Sequence, residues 1–343
     1  MRAARIKLLL LCLAAATNFV ASTPHAREGA AKPKPAPEIA PRSIAVGDGA
    51  LLPLYVSRDW SQPQADIERA VIVQHGHARN ANVYFRTGLA AQAAAGEAGQ
   101  HALIVAPQFI APLDVETFRV PDDVLRYTPT GWEGGDAALG PRPISSFEAI
   151  DAILAKLADR HLFPKLKDVV LAGHSGGGQV VQRYAIVGKG AAALRAAGIA
   201  MRYVVANPSS YAYFGPDRPE PAIAAACPRY DDWKYGMQRL PAYAAPKSPA
   251  DHERDYVAAR VIYLLGALDT NPEHPVLDRS CMAEAQGPTR WARGHAYVDH
   301  MRARNQGMPR HEMHEVPGVG HDGDAMLGSA CGLTALFDVP GCR

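Results

Sequence analysis

The sequence predicts an α/β fold: a mostly parallel central sheet flanked by helices, with a cap-like insertion near residues 211–256. Three observations predict it. Apolar, β-branched runs at Ala70–Gln74, Ala102–Val105, Val169–Ala172, Arg202–Ala206 and Val261–Leu265 alternate with stretches whose apolar residues recur at helical spacing. Strands joined through helices pair in parallel, because a parallel connection needs a crossover. Second, the run Val169-Val170-Leu171-Ala172 ends in Gly173-His174-Ser175-Gly176-Gly177 and a helical pattern begins at once, so a serine stands on a sharp strand-to-helix turn. Third, Ser175, Asp269 and His321 each follow a predicted strand, and in a parallel sheet such positions share one edge.

In chain order, Arg2, Arg5 and Lys7 precede the apolar stretch Leu8–Ala16 and the small residues Val20-Ala21-Ser22, the pattern of a signal peptide over residues 1–22. Residues 23–43 include Lys-Pro-Lys-Pro-Ala-Pro and are expected to form a proline-rich tether ahead of one domain over 44–343. Export places the protein outside the cell or in the periplasm, with no stable membrane anchor after cleavage. Without the leader, 33 Lys and Arg face 34 Asp and Glu, so no charge excess points to nucleic acid or an anionic membrane. Cys227, Cys281, Cys331 and Cys342 remain, an even number suited to two disulfides. Of three possible pairings, Cys227 with Cys281 would tie the insertion to the segment after a late strand, and Cys331 with Cys342 would close a short C-terminal loop.

A hairpin is expected over Ile44–Val46 and Leu51–Val56 around Gly47-Asp48-Gly49. The strand ending at Gln74 breaks at His75-Gly76-His77, and a helix follows around 82–94. Residues 113–142 read as irregular; Trp132 there either lines a pocket or plugs onto the core. A helix follows from Ile144, capped by Ser145 or Ser146, toward His161. The insertion mixes seven prolines with Tyr211, Tyr213, Phe214, Tyr230, Trp233, Tyr235 and Tyr243. Such a segment suits a cap over a substrate, with Trp132, Tyr211 and Trp233 as candidate contacts. A helix is expected over 280–306, then a strand over 311–316 leading to the loop of His321.

The chemistry follows from residue type. A neutral serine hydroxyl is a weak nucleophile; an imidazole must take its proton, and a carboxylate must orient that imidazole. Ser175, Asp269 and His321 supply the three groups. Asp322 and Asp324 are rival acids but share the loop of His321, and His311 and His314 lie in or beside a strand. The amides of Gly176, at a helix start, and of His77, past a strand end, are the candidate oxyanion donors. His75 and His77 could instead be metal ligands, but no third ligand stands at a suitable spacing, and no metal or organic cofactor is called for.

These segments resemble the α/β-hydrolase superfamily over about residues 44–343, and within it secreted serine hydrolases of the esterase and dienelactone-hydrolase-like type. The resemblance is carried by His75-Gly76 with Arg79-Asn80, Gly173–Gly178, Gly266–Asp269 and Gly318–Gly323. Cys281 with Gln286–Arg290, and Ser329–Gly332, add to it. The His-Gly-His loop departs from the His-Gly-Gly-Gly of one lipase branch. The family implies a triad and an oxyanion hole; it does not name a substrate. The expected activity is cleavage of a small or polymeric carboxylic ester through an acyl-enzyme. Alternatives are an amidase, a thioesterase or a cofactor-free lyase on the same triad, or a binding protein on the same scaffold. Oligomeric state is not legible.

Overall fold

The computed structural model describes residues 34–304 and 310–342. The expected signal peptide and residues 23–33 of the expected tether lie outside them. Eight strands form one sheet: β1 (Arg42–Val46), β2 (Ala50–Val56), β3 (Arg69–Gln74), β4 (Ala102–Pro107), β5 (Asp168–His174), β6 (Ala200–Ala206), β7 (Arg260–Gly266) and β8 (His311–Val316). Their order across the sheet is β1-β2-β4-β3-β5-β6-β7-β8. The hairpin β1–β2 and the β2–β4 pair are antiparallel; β4 through β8 run parallel.

The parallel strands alternate their side chains between two cores, as a period of two demands. Ala70, Ile72, Leu103, Val105, Val169 and Leu171 face one layer, with Phe147, Ile150, Val180, Tyr184 and Tyr256. Val71, Val73, Ile104, Val170 and Ala172 face the other, with Tyr84, Met326, Leu336 and Phe337. Helices Ser146–Leu157, Gly176–Val187 and Arg290–Arg304 therefore cover one face. Ala81–Ala94, Gly323–Gly328 and Ala330–Phe337 cover the other. The chain leaves β3 toward β4 on one side and leaves β5 toward β6 on the other. Loops after β3 and β5 thus diverge and open a crevice at the carboxyl edge.

Four expectations are corrected. The tether does not extend to residue 43, because from residue 34 the chain packs on the domain and Arg42 already opens β1. The amides of Ala36 and Ala40, free in an extended proline-rich segment, donate to Asp114 Oδ1 (2.6 Å) and Gln108 Oε1 (2.8 Å). Residues 113–142 are not wholly irregular: Pro112–Phe118 is a helix, with Pro112 in its first turn and Asp114 Oδ2 accepting from the Ala111 amide (2.7 Å). The helix expected over 280–306 is two, Cys281–Glu284 and Arg290–Arg304. Gly287, at φ 128°, and Pro288 break it. Finally, the helix from Ile144 stops at Leu157; its start is a capping box, with Ser145 Oγ accepting from Phe147 N (3.1 Å) and Glu148 Oε2 from Ser145 N (2.7 Å).

The insertion is less a lid than a wall. Tyr211, Tyr213, Phe214, Met237, Tyr243 and Tyr256 belong to the main core. Cys227 is bonded to Cys281 and Cys331 to Cys342. Among the described residues no helix is long and apolar enough to cross a membrane.

Candidate active site

The turn after β5 forces Ser175 to φ 59° and ψ −123°. This conformation is tolerable only where neighbouring chains close in. A side chain at Gly173 would strike the Gly177 carbonyl, and one at Gly177 would strike the Gln74 carbonyl. Two residues without side chains let the strand, the turn and the helix Gly176–Val187 pack this closely.

Ser175 Oγ lies 2.9 Å from His321 Nε2, and His321 Nδ1 lies 2.7 Å from Asp269 Oδ2. The three come from the ends of β5, β7 and β8, with 146 residues between the serine and the imidazole. With Asp269 as partner, Nδ1 carries the proton and Nε2 accepts from the hydroxyl. Asp269 is 3% exposed. Its second oxygen lies 3.5 Å from Nη1 of the buried Arg290. Arg290 is held in turn by Ser209 Oγ (2.9 Å) and the Val276 carbonyl (2.7 Å). Asn207 ties the loops of the acid and the base together, accepting from Gly266 N (2.8 Å) and donating to the Gly320 carbonyl (3.2 Å).

The imidazole of His321 is flanked by two others, His174 at 4.6 Å and His274 at 4.8 Å between ring centres. Burial pushes His174 well below the usual histidine range. Partial burial, followed by the charge of Arg290, lowers His274 as well. Two neutral neighbours impose no like charge on an imidazolium at 321.

His77 and Gly176 lie side by side past the ends of the adjacent strands β3 and β5. A β-carbon built on Gly176 would lie 3.0 Å from the His77 nitrogen and 3.2 Å from Glu133 Oε1. Glu133 is buried and joined to His77 Nδ1 (3.3 Å) and Lys234 Nζ (3.0 Å). Burial by itself would raise its carboxyl, but Lys234, the His77 bond and Arg183 outweigh that and hold it down to about 2.

Other sequence-predicted residues fall elsewhere. Trp132 is fully buried, stacked on Phe109 and tilted against His75, its indole donating to the Pro129 carbonyl (2.9 Å). It plugs the core. Tyr211 is corrected likewise: fully buried and stacked on Tyr297, it cannot meet a substrate. Trp233 is half-buried and donates to the Gly134 carbonyl (2.6 Å), beside the oxyanion loop. His75 accepts from Phe109 N (2.9 Å) and is buried, so it offers nothing to a metal shared with His77. Asp322 caps the helix Gly323–Gly328 through Ala325 N (3.0 Å) and does not hold the imidazole. A cavity of about 330 Å³ lies beside the acid loop, walled by Ile223, Pro272, Glu273, Leu277 and Arg293; none of Ser175, Asp269 and His321 lines it.

Sequence reasoning missed Arg290, Asn207, His274, Glu133 and Lys234 as contributors. Only Arg290 and Glu133 carried a signal, each standing within a glycine-bearing segment singled out for its irregularity or its resemblance.

No family model and no curated protein matches the sequence. Solved structures do. Poly(aspartic acid) hydrolase-1 from Sphingomonas sp. KT-1 aligns over 85% of this chain and 96% of its own, at 21% identity and a TM-score of 0.59. The poly(3-hydroxybutyrate) depolymerase LpqC from Bordetella parapertussis aligns over 88% and 90%, at 23% identity and a TM-score of 0.61. At these identities the likeness is one of fold, and with the strand order above it identifies the chain as having the α/β-hydrolase fold.

Proposed function

We propose that the protein is a serine hydrolase that cleaves carboxylic esters through an acyl-enzyme. The observation that carries the reading is the continuous contact from Ser175 Oγ through His321 to the buried carboxylate of Asp269. In this reading His321 Nε2 takes the hydroxyl proton as Ser175 Oγ attacks the ester carbonyl. The amides of His77 and Gly176 stabilise the resulting oxyanion. His321 then gives the proton to the leaving alcohol, the C–O bond breaks, and an acyl-Ser175 remains. Water, deprotonated by the same imidazole, attacks the acyl carbon; the carboxylic acid departs and Oγ recovers its proton.

Two disulfides support an extracellular or periplasmic location, which the leader also implies. One domain from residue 34 onward carries the whole site. The two solved structures are named for polymers, which makes a polymeric substrate the second reading.

The test is turnover of p-nitrophenyl esters of graded chain length by the purified protein and by Ser175→Ala, with fluorophosphonate labelling of both. The expected result is labelling at Ser175 and a loss of at least about 10³-fold in the variant. Ester turnover that survives the substitution would remove Ser175 from the mechanism. Faster release from 3-hydroxybutyrate oligomers than from short esters would favour the polymer.

A further inference from the structure

A buried carboxylate lies beside the two residues that carry the candidate oxyanion amides. Glu133 Oε1 would lie 3.2 Å from a β-carbon on Gly176, whose amide is one of the two oxyanion donors in the reading above. The same oxygen accepts from His77 Nδ1, whose backbone amide is the other donor. With 6% of its side chain exposed, Glu133 has little water to screen it. A negative charge here opposes the charge that develops in the transition state, unless a cation cancels it.

That cation comes from the insertion. Trp233 anchors to the Gly134 carbonyl, and Lys234 sends its ammonium to Glu133 Oε2 (3.0 Å) and to the Thr130 carbonyl (3.3 Å). Arg183, on the elbow helix and wholly buried, donates to the Glu133 carbonyl (3.0 Å) and adds a second positive charge behind it.

We propose that Glu133 and Lys234 are positioning residues of the oxyanion hole. Glu133 fastens His77 so that its amide faces the reacting carbonyl, and Lys234, carried by the insertion, neutralises Glu133. The insertion thereby acts on the chemical step. This rests on the serine-hydrolase reading.

Three variants separate the parts. Lys234→Met leaves the carboxylate with only the Arg183 charge behind it and lowers kcat by about 10- to 100-fold, less than outright loss of one oxyanion donor costs, with KM changed less than about threefold. Glu133→Gln in the Lys234→Met background removes the charge but keeps an oxygen for His77, and brings kcat back to within about fivefold of wild type. Glu133→Ala in the same background removes the acceptor too and stays slow. Affinity for a trifluoromethyl ketone, which forms an oxyanion in the site, follows kcat/KM across the series.

A purely structural pair would lower thermal stability without this reversal between Gln and Ala. A Lys234→Met protein with wild-type kcat overturns the proposal, as does a folded Glu133→Gln/Lys234→Met protein as slow as Lys234→Met. If Lys234→Met does not fold, the two double variants decide: equal kcat in both overturns the proposal, and a Gln variant at least tenfold faster supports it. A wild-type protein without Ser175-dependent turnover is a different outcome, since it refutes the serine-hydrolase reading itself.

Discussion

Ser175 sits at φ 59° in a chain where such values cost a non-glycine residue about 1–3 kcal/mol. The surrounding packing over-determines that turn, and the hydroxyl stands ready against His321 as a result. The acid is chosen by geometry of the same kind. Asp269 Oδ2 meets Nδ1 at 2.7 Å, whereas Asp322 is occupied in capping a helix. Asp269→Asn is expected to lower kcat on the order of 10³- to 10⁴-fold, through loss of the correct tautomer. Asp322→Asn should change it less than about threefold, and steady-state kinetics on one ester ranks them. Arg290→Met would remove the charge facing Asp269 Oδ1 and leave Ser209 Oγ and the Val276 carbonyl without their donor, at a cost of about 1–3 kcal/mol; urea unfolding measures it. The residues that meet at the strand ends, Ser175, Asp269 and His321, were legible in the sequence because each follows a strand. The pairing of Arg290 with Asp269 and of Lys234 with Glu133 was not, because a charged residue gives no local sign of the distant partner that folding will bring to it.

Among the elements, the insertion departs most from expectation. Its prolines announced irregularity, yet Tyr211, Tyr213, Phe214 and Tyr243 enter the main core. Aromatic residues in a stretch without periodicity give nothing local that tells a core plug from a pocket wall; Trp132 stood between the two for that reason, and Tyr211, expected at a substrate, is buried in the core. The bridge from Cys227 to Cys281 fastens this segment across 54 residues, and Cys331 to Cys342 closes 11. Chain entropy assigns about 4 and about 3 kcal/mol to the two loops. The Cys227→Ser/Cys281→Ser protein should therefore melt below the Cys331→Ser/Cys342→Ser protein in thermal scans. The reverse ranking would mean that the insertion is held by its packing alone.

Across the whole molecule, stability should fall on acidification. Burial holds His75 at about 4; burial and then the charge of Arg304 hold His300 at about 4. Both titrate near 6.5 when unfolded. Between those values the unfolded chain binds more protons than the folded one, so stability is fully present above about 6.5 and declines as pH falls toward 4. For the fully buried His75 the shift corresponds to about 3 kcal/mol. Asp136 and Asp151, raised by burial, offset part of this at the acid end. Urea unfolding at pH 7.5 and pH 5 should show the difference; equal midpoints would mean that these imidazoles are protonated within the fold.

The alternation of strands and helices, the elbow and the capped helix starts were determined by the sequence alone. Each rests on interactions between residues close in the chain: side-chain period, turn sterics, helix capping. Tertiary structure decided the rest. It packed residues 34–41 onto the domain, sank Trp132 and Tyr211 into the core, and brought Lys234 to Glu133 across 101 residues of chain. Those outcomes depend on which surfaces meet once the sheet has closed, and no short window of sequence contains both partners.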